Sequence, residues 1–165
     1  MLKKREKEVF INLLANARMP DKHIAKLLET TQPTVTRVRQ KLERNGYIKG
    51  YRPVVDLQKV GMNFVGITLF RISDFSKTEE IKRIVVPELR KMPEIVLVAE
   101  GEGMGKTSLI VSLHKDFREF EEMMILIRKR FGKHMEDIEQ FIFSTNRIYK
   151  DLSVEGAIIN FLKSE

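Results

Sequence analysis

The stretch from Gln32 to Arg44 holds the side chains whose types and spacing best suit recognition of another molecule. A helix turns by about 100° per residue, so a helix that buries Val35, Val38 and Leu42 presents its opposite face to solvent. That outward face has no acidic residue and consists of Pro33, Thr36, Arg37, Gln40 and Arg44. Glutamine can pair with adenine and arginine with guanine in the DNA major groove, while threonine and further basic residues hold phosphates. The pattern predicts a DNA-reading helix, and the alternative is an ordinary solvated face, although such faces usually mix charges of both signs.

The segments before this stretch make it the third helix of a helix-turn-helix unit. Residues 3 to about 16 place apolar side chains on one helical face, and Pro20-Asp21 opens a second short helix. Thr31 can cap the third helix, Pro33 suits its first turn, and Gly46 is a natural stop after it. Three short helices with a four-residue turn between the second and the third describe a helix-turn-helix.

These positions give a set of candidate DNA-binding residues. The residues expected nearest the bases are Gln32, Thr34, Thr36, Arg37 and Gln40, with Pro33 on the same face. The residues expected at phosphates are Arg39, Lys41, Arg44, Lys22 and Lys49. His23, at the start of the second helix, is expected beside the DNA backbone.

The positive charge of the chain is concentrated in this same part. Residues 1 to 60 carry 14 Lys+Arg and 6 Asp+Glu, a net charge of +8, whereas residues 61 to 165 carry 16 and 17, a net charge of −1. A polyanion-binding module joined to a neutral module would show this asymmetry, because phosphate neutralisation needs the cations on one surface. A basic surface kept for solubility would show it too, so charge alone leaves both explanations open.

Composition excludes several other kinds of chemistry. The chain of 165 residues has no Cys, which excludes disulfides, cysteine-ligated zinc and a thiol nucleophile. Its three histidines are too scattered to suggest a metal site, and we predict no catalytic residues and no cofactor. No apolar run approaches the roughly 18 residues of a membrane span, and the start lacks the apolar core of a secretory signal. We therefore expect a cytoplasmic protein without a membrane partner.

The second half of the chain alternates strand and helix patterns. From Met62 a long strand has apolar residues on both faces, and the helix that follows contains Pro87, which predicts a kink or a short break. Two strands at residues 95 to 99 and 109 to 113 flank a Gly-rich loop, and a helix and a last strand around residues 138 to 148 complete the order. The order strand, helix, strand, strand, helix, strand is that of a ferredoxin-like unit.

One face of such a sheet takes both helices, so the other apolar face must be covered by something else. A second copy of the chain is the simplest cover, and we predict a homodimer. Residues 152 to 163 form one more amphipathic helix, whose aligned apolar residues are Val154, Ala157, Ile158, Phe161 and Leu162.

The predicted fold class is α+β. It combines an N-terminal three-helix helix-turn-helix domain of winged-helix-like type with a C-terminal ferredoxin-like βαββαβ domain and an extra C-terminal helix. The predicted boundaries are residues 1–50 for the DNA-binding domain, 51–61 for a hinge or linker strand, 62–150 for the effector and dimerisation domain, and 151–165 for the last helix.

The residues of this first half resemble the Lrp/AsnC family of transcription regulators, also called feast/famine or leucine-responsive regulators. The similarity is strongest in the run from Leu42 to Tyr51, Leu-Glu-Arg-Asn-Gly-Tyr-Ile-Lys-Gly-Tyr, which looks like the family's junction between DNA-binding domain and hinge. It covers about residues 3 to 149, mainly by element order after residue 60. The resemblance implies a DNA-binding dimer that can assemble into a tetramer or octamer, with a small-molecule effector, often an amino acid, near the loop between the second and third strands.

One departure from the family lies at Glu29, where a Gly commonly ends the second helix. If this position needs a positive φ, Glu costs on the order of 1 kcal/mol of stability against Gly.

The segment from Glu100 to Ser108, Glu-Gly-Glu-Gly-Met-Gly-Lys-Thr-Ser, invites a nucleotide-binding interpretation. A phosphate-binding loop needs a Gly five positions before its Gly-Lys-Thr, and Glu100 occupies that place. Such a loop must also open a helix, whereas the residues from Leu109 alternate like a strand. The segment corresponds instead to the family's effector loop, with Gly101, Gly103, Gly105, Lys106 and Thr107 as candidate effector-binding residues.

Lys106 or Thr107 falls near an Asp that many family members carry at this loop, and Lys cannot accept a hydrogen bond from a ligand ammonium group. An anionic ligand or a plain turn without a ligand therefore suits this loop better than the usual amino acid.

The function that these features predict is sequence-specific binding of double-stranded DNA in transcription regulation. The alternative of another class is a ligand-sensing or RNA-associated module, because ferredoxin-like sheets also bind RNA through aromatic side chains. A nucleotide-binding enzyme, the third class, depends only on the mismatched glycine loop.

Overall fold

A computed structural model of the chain describes residues 2–150 and 153–164 and shows two compact units. The first unit combines residues 1–54 with 150–165, and the second spans residues 55–149. The C-terminal helix, predicted as a separate element, therefore belongs with the N-terminal unit. None of the described helices is long and apolar enough to cross a membrane.

The first unit contains the predicted three helices. They are α1 (Lys4–Ala15), α2 (Asp21–Leu27) and α3 (Gln32–Arg44). Their shared core is formed by the buried residues Val9, Phe10, Leu13, Ile24, Ala25, Val35 and Leu42. Val38, predicted on the buried stripe of α3, is partly buried against this core.

Two details of the predicted helix-turn-helix are wrong. The Thr31 side chain does not cap α3, because its hydroxyl is hydrogen-bonded to the Thr34 hydroxyl at 2.8 Å instead. The stretch from Asn45 to Asn63 forms turns and irregular backbone without a strand, so neither a wing nor the predicted hinge strand is present there. The predicted turn at Asp56 to Gly61 is present, with the Asp56 carboxylate accepting from the amides of Gln58 and Lys59.

Helices α2 and α3 end in the same hydrogen-bonded motif. After α2, the Thr30 amide donates to the Ala25 carbonyl and the Glu29 amide to Lys26; after α3, Tyr47 donates to Leu42 and Gly46 to Glu43. This pattern is a Schellman motif, which requires positive φ at its penultimate residue. Glu29 has φ 47° and Gly46 has φ 73°, so the positive φ expected at Glu29 is confirmed.

The second unit has the predicted ferredoxin-like order. Its elements are β1 (Phe64–Ile72), α4 (Thr78–Leu89), β2 (Ile95–Gly103), β3 (Lys106–His114), α5 (Phe117–Phe131) and β4 (Met135–Ser144). Short 3₁₀ turns cover Phe75–Lys77, Gly132–His134 and Thr145–Arg147. The sheet is antiparallel with the order β2-β3-β1-β4. The short break predicted as one outcome at Pro87 is absent, because α4 continues without interruption through Pro87 to Leu89.

The sheet packs α4 and α5 on one face. Phe70, Ile72 and Ile110 of the strands share a buried core with Leu89 of α4 and Phe120 of α5. Gly66 permits close approach of α5, because a Cβ atom there would lie 2.3 Å from the Phe120 ring. The glycine of β1 thus lets the aromatic ring of α5 seat directly on the strand.

The other face of the sheet is apolar and holds none of the helices of this unit, and its exposure is greatest on β2 and β4, while Val65 of β1 is buried. From the strand register, it carries Val65, Ile67, Leu69, Leu97, Leu109, Val111, Phe141 and Phe143. Leu97 is 47% exposed and Phe141 is 64% exposed. We call this set the outer sheet face.

The last helix, α6 (Glu155–Ser164), follows the ferredoxin-like unit along the chain. Its Ile158 and Leu162 pack against the core of the first unit. Ala157 and Phe161 of the predicted stripe are exposed, so only part of that stripe is packed.

Replacing Glu29 with Gly should raise the melting temperature of the first unit by a few degrees, since it removes on the order of 1 kcal/mol of backbone strain. Gly46→Ala is the matched control in the equivalent motif, where the open space around Gly46 leaves strain as the only cost. Thermal unfolding followed by circular dichroism should show a rise for Glu29→Gly and a fall for Gly46→Ala. An unchanged or lower value for Glu29→Gly would reject the strained turn.

Candidate nucleic-acid interface

The exposed face of α3 is the core of the candidate interface. Val35 and Leu42 are buried, which fixes the rotation of the helix about its axis. The predicted residues left exposed on α3 are Gln32, Pro33, Arg37, Gln40, Lys41 and Arg44. Pro33 lies in the first turn, where its missing N–H has no helical partner to lose. The sequence pattern therefore predicted the orientation of this face correctly.

Asp21 ties α2 to α3 from the first turn of α2. Its carboxylate accepts a hydrogen bond from the Thr36 hydroxyl at 2.6 Å and from Arg39 Nε at 2.8 Å. The Arg39 Nη2 to Asp21 Oδ1 distance is 2.6 Å, and both side chains are about four-fifths buried. Two donors from one face of α3 thus converge on one acid, which fixes the crossing of the two helices.

This arrangement changes the roles expected for Thr36 and Arg39. The Thr36 hydroxyl points to Asp21 and is not free for a base, and the Arg39 guanidinium also donates to the Met19 carbonyl at 2.9 Å. Burial opposes the charge of Arg39, but hydrogen bonds to Tyr51 and Asp21 outweigh it and leave its pKa above the usual value. Both residues therefore hold α3 in place, because breaking the pair would leave a largely buried charge without a partner.

Lys41, a predicted phosphate contact, is also paired within the unit. Its Nζ atom lies 2.5 Å from Oε1 of Glu6, whose other oxygen accepts the Lys3 amide at 2.9 Å. The Lys41 ammonium, followed by the Lys3 amide, holds the pKa of the buried Glu6 carboxyl below its usual value. Lys41 thus joins α3 to the start of α1. Thr34, predicted to lie near the bases, is half-buried, and its hydroxyl is hydrogen-bonded to the Thr31 hydroxyl.

Four of the cations predicted to contact DNA remain available for another molecule. Within residues 2–150 and 153–164, Arg37, Arg44, Lys22 and Lys49 are exposed and have no acidic partner. Lys22 and His23 lie in the first turn of α2, and Lys49 lies in the irregular segment after α3. His23 is exposed as well.

The predicted effector loop is a tight hairpin. Strands β2 and β3 extend to Gly103 and from Lys106, so the loop consists only of Met104 and Gly105, with φ of 54° and 72°. Positive φ at both central residues is the geometry of a type I′ hairpin turn. The strands are longer than predicted, and no helix begins here, so this loop does not have the context of a phosphate-binding loop.

Lys106 and Thr107 already have partners inside the second unit. The buried Lys106 extends its ammonium to Glu139 of β4 at 2.9 Å, and the Thr107 hydroxyl accepts the Ile72 amide at 3.1 Å. The Lys106 ammonium is therefore already paired and is not free to bind an anionic ligand. The hairpin residues Gly101, Gly103, Met104 and Lys106 line one side of a shallow hollow of about 210 Å³.

Sequence reasoning missed Asp21 and Glu6 as organisers of this unit. From the sequence, Asp21 is recognisable only as a residue that favours a helix start. The donors that each carboxylate accepts lie up to 18 residues away for Asp21 and 35 residues away for Glu6.

The known proteins to which this chain is similar include transcriptional regulators. No family model matches the sequence. An uncharacterised HTH-type transcriptional regulator of Pyrococcus horikoshii, PH0061, is 25% identical over 138 residues, which cover 84% of this chain and 89% of that protein. Its crystal structure matches with a TM-score of 0.74 at 22% identity, over 92% of this chain and 99% of the other.

Two other solved structures have the same fold. A complex of the Neisseria meningitidis regulator NMB0573 with L-Met has a TM-score of 0.77 at 16% identity, over 93% of this chain and 96% of that one. AsnC of E. coli has a TM-score of 0.76 at 15% identity, over 93% and 99% of the two chains. The predicted α+β fold and the resemblance to Lrp/AsnC regulators are confirmed, and the sequence relative PH0061 is an HTH-type transcriptional regulator.

Proposed function

We propose that this chain, which shares its fold with AsnC-type regulators, is a transcription regulator that binds double-stranded DNA through α3. The observation that carries the proposal is the exposed face of α3, where Arg37, Gln40 and Arg44 stand free and no acid offsets them. Two other cations of the same helix, Arg39 and Lys41, are paired with acids within the unit. A face that keeps its cations unpaired is suited to phosphates and base edges.

The side chains of this face differ in whether they suit bases or phosphates. Arg37 and Gln40 can each form two hydrogen bonds with one base, which suits guanine and adenine respectively. Lys22, Arg44 and Lys49 are suited to phosphate contact, which sets position and affinity without reading sequence. Gln32, Pro33 and His23 lie at the helix starts, where they would border the same groove.

We also propose that two copies pair through the outer sheet face. Its support is the row of uncovered apolar side chains, in which Phe141 and Phe143 have ring centroids 5.8 Å apart. These aromatics favour protein over RNA, because the neighbouring Glu136 and Glu139 are acidic and Lys106 is already paired. Two paired units would present two copies of α3 to a roughly palindromic site, and tetramers or octamers would build on that pair.

A small-molecule effector at the β2–β3 hairpin is part of the proposal. The L-Met complex of NMB0573 and the hollow beside the hairpin support it. Because the Lys106 ammonium is paired with Glu139, a ligand there would meet an ion pair and not a free cation. This pairing favours a zwitterionic or neutral ligand over the anion that the sequence suggested. A cytoplasmic location belongs to the same proposal, since the protein must reach DNA.

The DNA-reading role of Arg37 can be tested with sequences that the wild-type protein selects from a random duplex library. Arg37→Ala should weaken binding of the selected duplex by about 1–3 kcal/mol and relax preference at one base pair, as loss of a bidentate base contact does. Arg118→Ala, which removes an exposed arginine of the second unit, is the matched control and should bind as the wild type does. Fluorescence anisotropy over a salt series measures both. Failure to select any sequence, or equal affinity of Arg37→Ala and wild type, would defeat the proposal.

Dimerisation through the outer sheet face can be tested by placing a charge on it. Phe141→Asp should weaken self-association by about 2 kcal/mol or more, as expected for a central aromatic residue of an interface. Ile125→Asp on α5 is the control, since Ile125 is 65% exposed and Phe141 64%. Sedimentation equilibrium should show dimers for wild type and Ile125→Asp and monomers for Phe141→Asp at micromolar concentration. A monomeric wild type, or dissociation by Ile125→Asp instead, would contradict this interface.

A further inference from the structure

A histidine lies in the core of the second unit without a polar partner. His114 ends β3, and its side chain is fully buried. Neither of its ring nitrogens, Nδ1 or Nε2, forms a hydrogen bond with any atom of residues 2–150 or 153–164. A buried polar atom normally has a hydrogen-bond partner, because burying it without one costs free energy on folding. His114 is therefore an exception that packing alone does not require.

The His114 ring is surrounded by aromatic side chains. It stands edge-on to Phe120 of α5, with ring centroids 5.5 Å apart and ring planes at 74°. Phe120 also contacts Phe64 of β1 and Phe117 of α5, at centroid distances of 5.9 Å and 6.2 Å. Phe64 lies directly opposite His114 in the register of β1 and β3. The histidine thus joins the first turn of α5 to the end of the sheet in the way that an apolar side chain would.

The charged groups at this end of the sheet already have partners or lie outside the aromatic cluster. They are Glu94 before β2, Lys115 and Asp116 after β3, and Glu119 in the first turn of α5, while β1 contributes none here. The Glu119 carboxylate accepts the Lys115 amide at 2.9 Å, and the Asp116 carboxylate accepts the Glu119 amide at 3.1 Å. Burial lowers the pKa of His114, and the charges of Glu119, Glu94 and Asp116 oppose this shift without cancelling it.

We propose that His114 is a pH-sensitive latch between α5 and the sheet, a contact that is closed while the ring is neutral and opens when the ring is protonated. The neutral imidazole can pack among the aromatic rings, whereas an imidazolium has two donors and a charge that these rings do not satisfy. Protonation therefore requires the ring to leave the core and separates the first turn of α5 from the end of β3. The latch stands by itself, and only its use in regulation rests on the proposed DNA binding.

Acid should open the latch, because the pKa of His114 is lower in the folded protein than in the unfolded chain. As the pH falls, the unfolded or opened form binds the proton first. The stability that depends on the neutral ring is present above the ordinary histidine value of 6.5 and is lost as the pH falls through the lower pKa of the folded state. One proton changes the opening equilibrium constant by up to about tenfold per pH unit in this range.

Native-state hydrogen exchange of the full-length protein tests the latch without DNA. Corrected for intrinsic exchange rates, opening at the start of α5, residues 117–124, should increase up to about tenfold per pH unit below about pH 6.5. His114→Leu should remove this increase, because leucine can pack in the cluster and cannot bind a proton. His134→Leu is the matched control in the same unit and should keep the wild-type pH dependence. If His114→Leu does not fold, His114→Gln supplies a polar side chain that does not titrate.

Carbon-13 spectra of the histidine rings test whether protonation and opening are one event. In the wild type, the His114 ring should still be neutral at about pH 6, and its protonation at lower pH should coincide with loss of protection in residues 117–124. Protonation of His114 while α5 remains protected would overturn the latch. An unchanged pH dependence of α5 opening in the variant without His114 would overturn it too. Both outcomes are independent of DNA, so they are distinguishable from a failure of the proposed function.

Discussion

The position of the DNA-facing helix α3 in the first unit depends on the contacts of the Asp21 carboxylate. It stands in the first turn of α2, where the helix dipole favours a negative charge, and it accepts hydrogen bonds from Thr36 and Arg39 of α3. Burial of Val35 and Leu42 sets which face of α3 points outward, but hydrophobic contact is non-directional and leaves the position of α3 along α2 less defined. Two directed bonds to one acid fix that position.

The same contact sorts the basic residues of α3 into two groups. Arg39 and Lys41 neutralise Asp21 and Glu6 and hold the helices together, while Arg37 and Arg44 remain unpaired at the surface. The net charge of the segment could be counted from the sequence, but the sorting could not. Periodicity shows which face a residue occupies, whereas an ion pair depends on which distant acid folding brings within reach.

Prediction was most successful where a structural rule acts locally. The apolar spacing of α3 and the element order of the second unit follow from neighbouring residues, whereas the positive φ at Glu29 follows from the Gly that the resembled family commonly has there. It failed where the outcome depended on tertiary context. The Gly-rich segment reads as a loop by composition, yet pairing with β1 and β2 extends β3 to Lys106 and leaves a two-residue turn. The apolar face of α6 was visible, but its partner α1 lies at the other end of the chain.

The most direct test of this account is the arginine Nε–H signals of the protein in a ¹H–¹⁵N spectrum during titration with a selected duplex. The account predicts that the Arg37 signal shifts on binding, because its guanidinium meets DNA. The Arg39 signal should remain in place, because its Nε–H stays bonded to Asp21. A shift of Arg39 as large as that of Arg37 would contradict the account, since it would show that the helix-fixing pair opens to let Arg39 reach DNA.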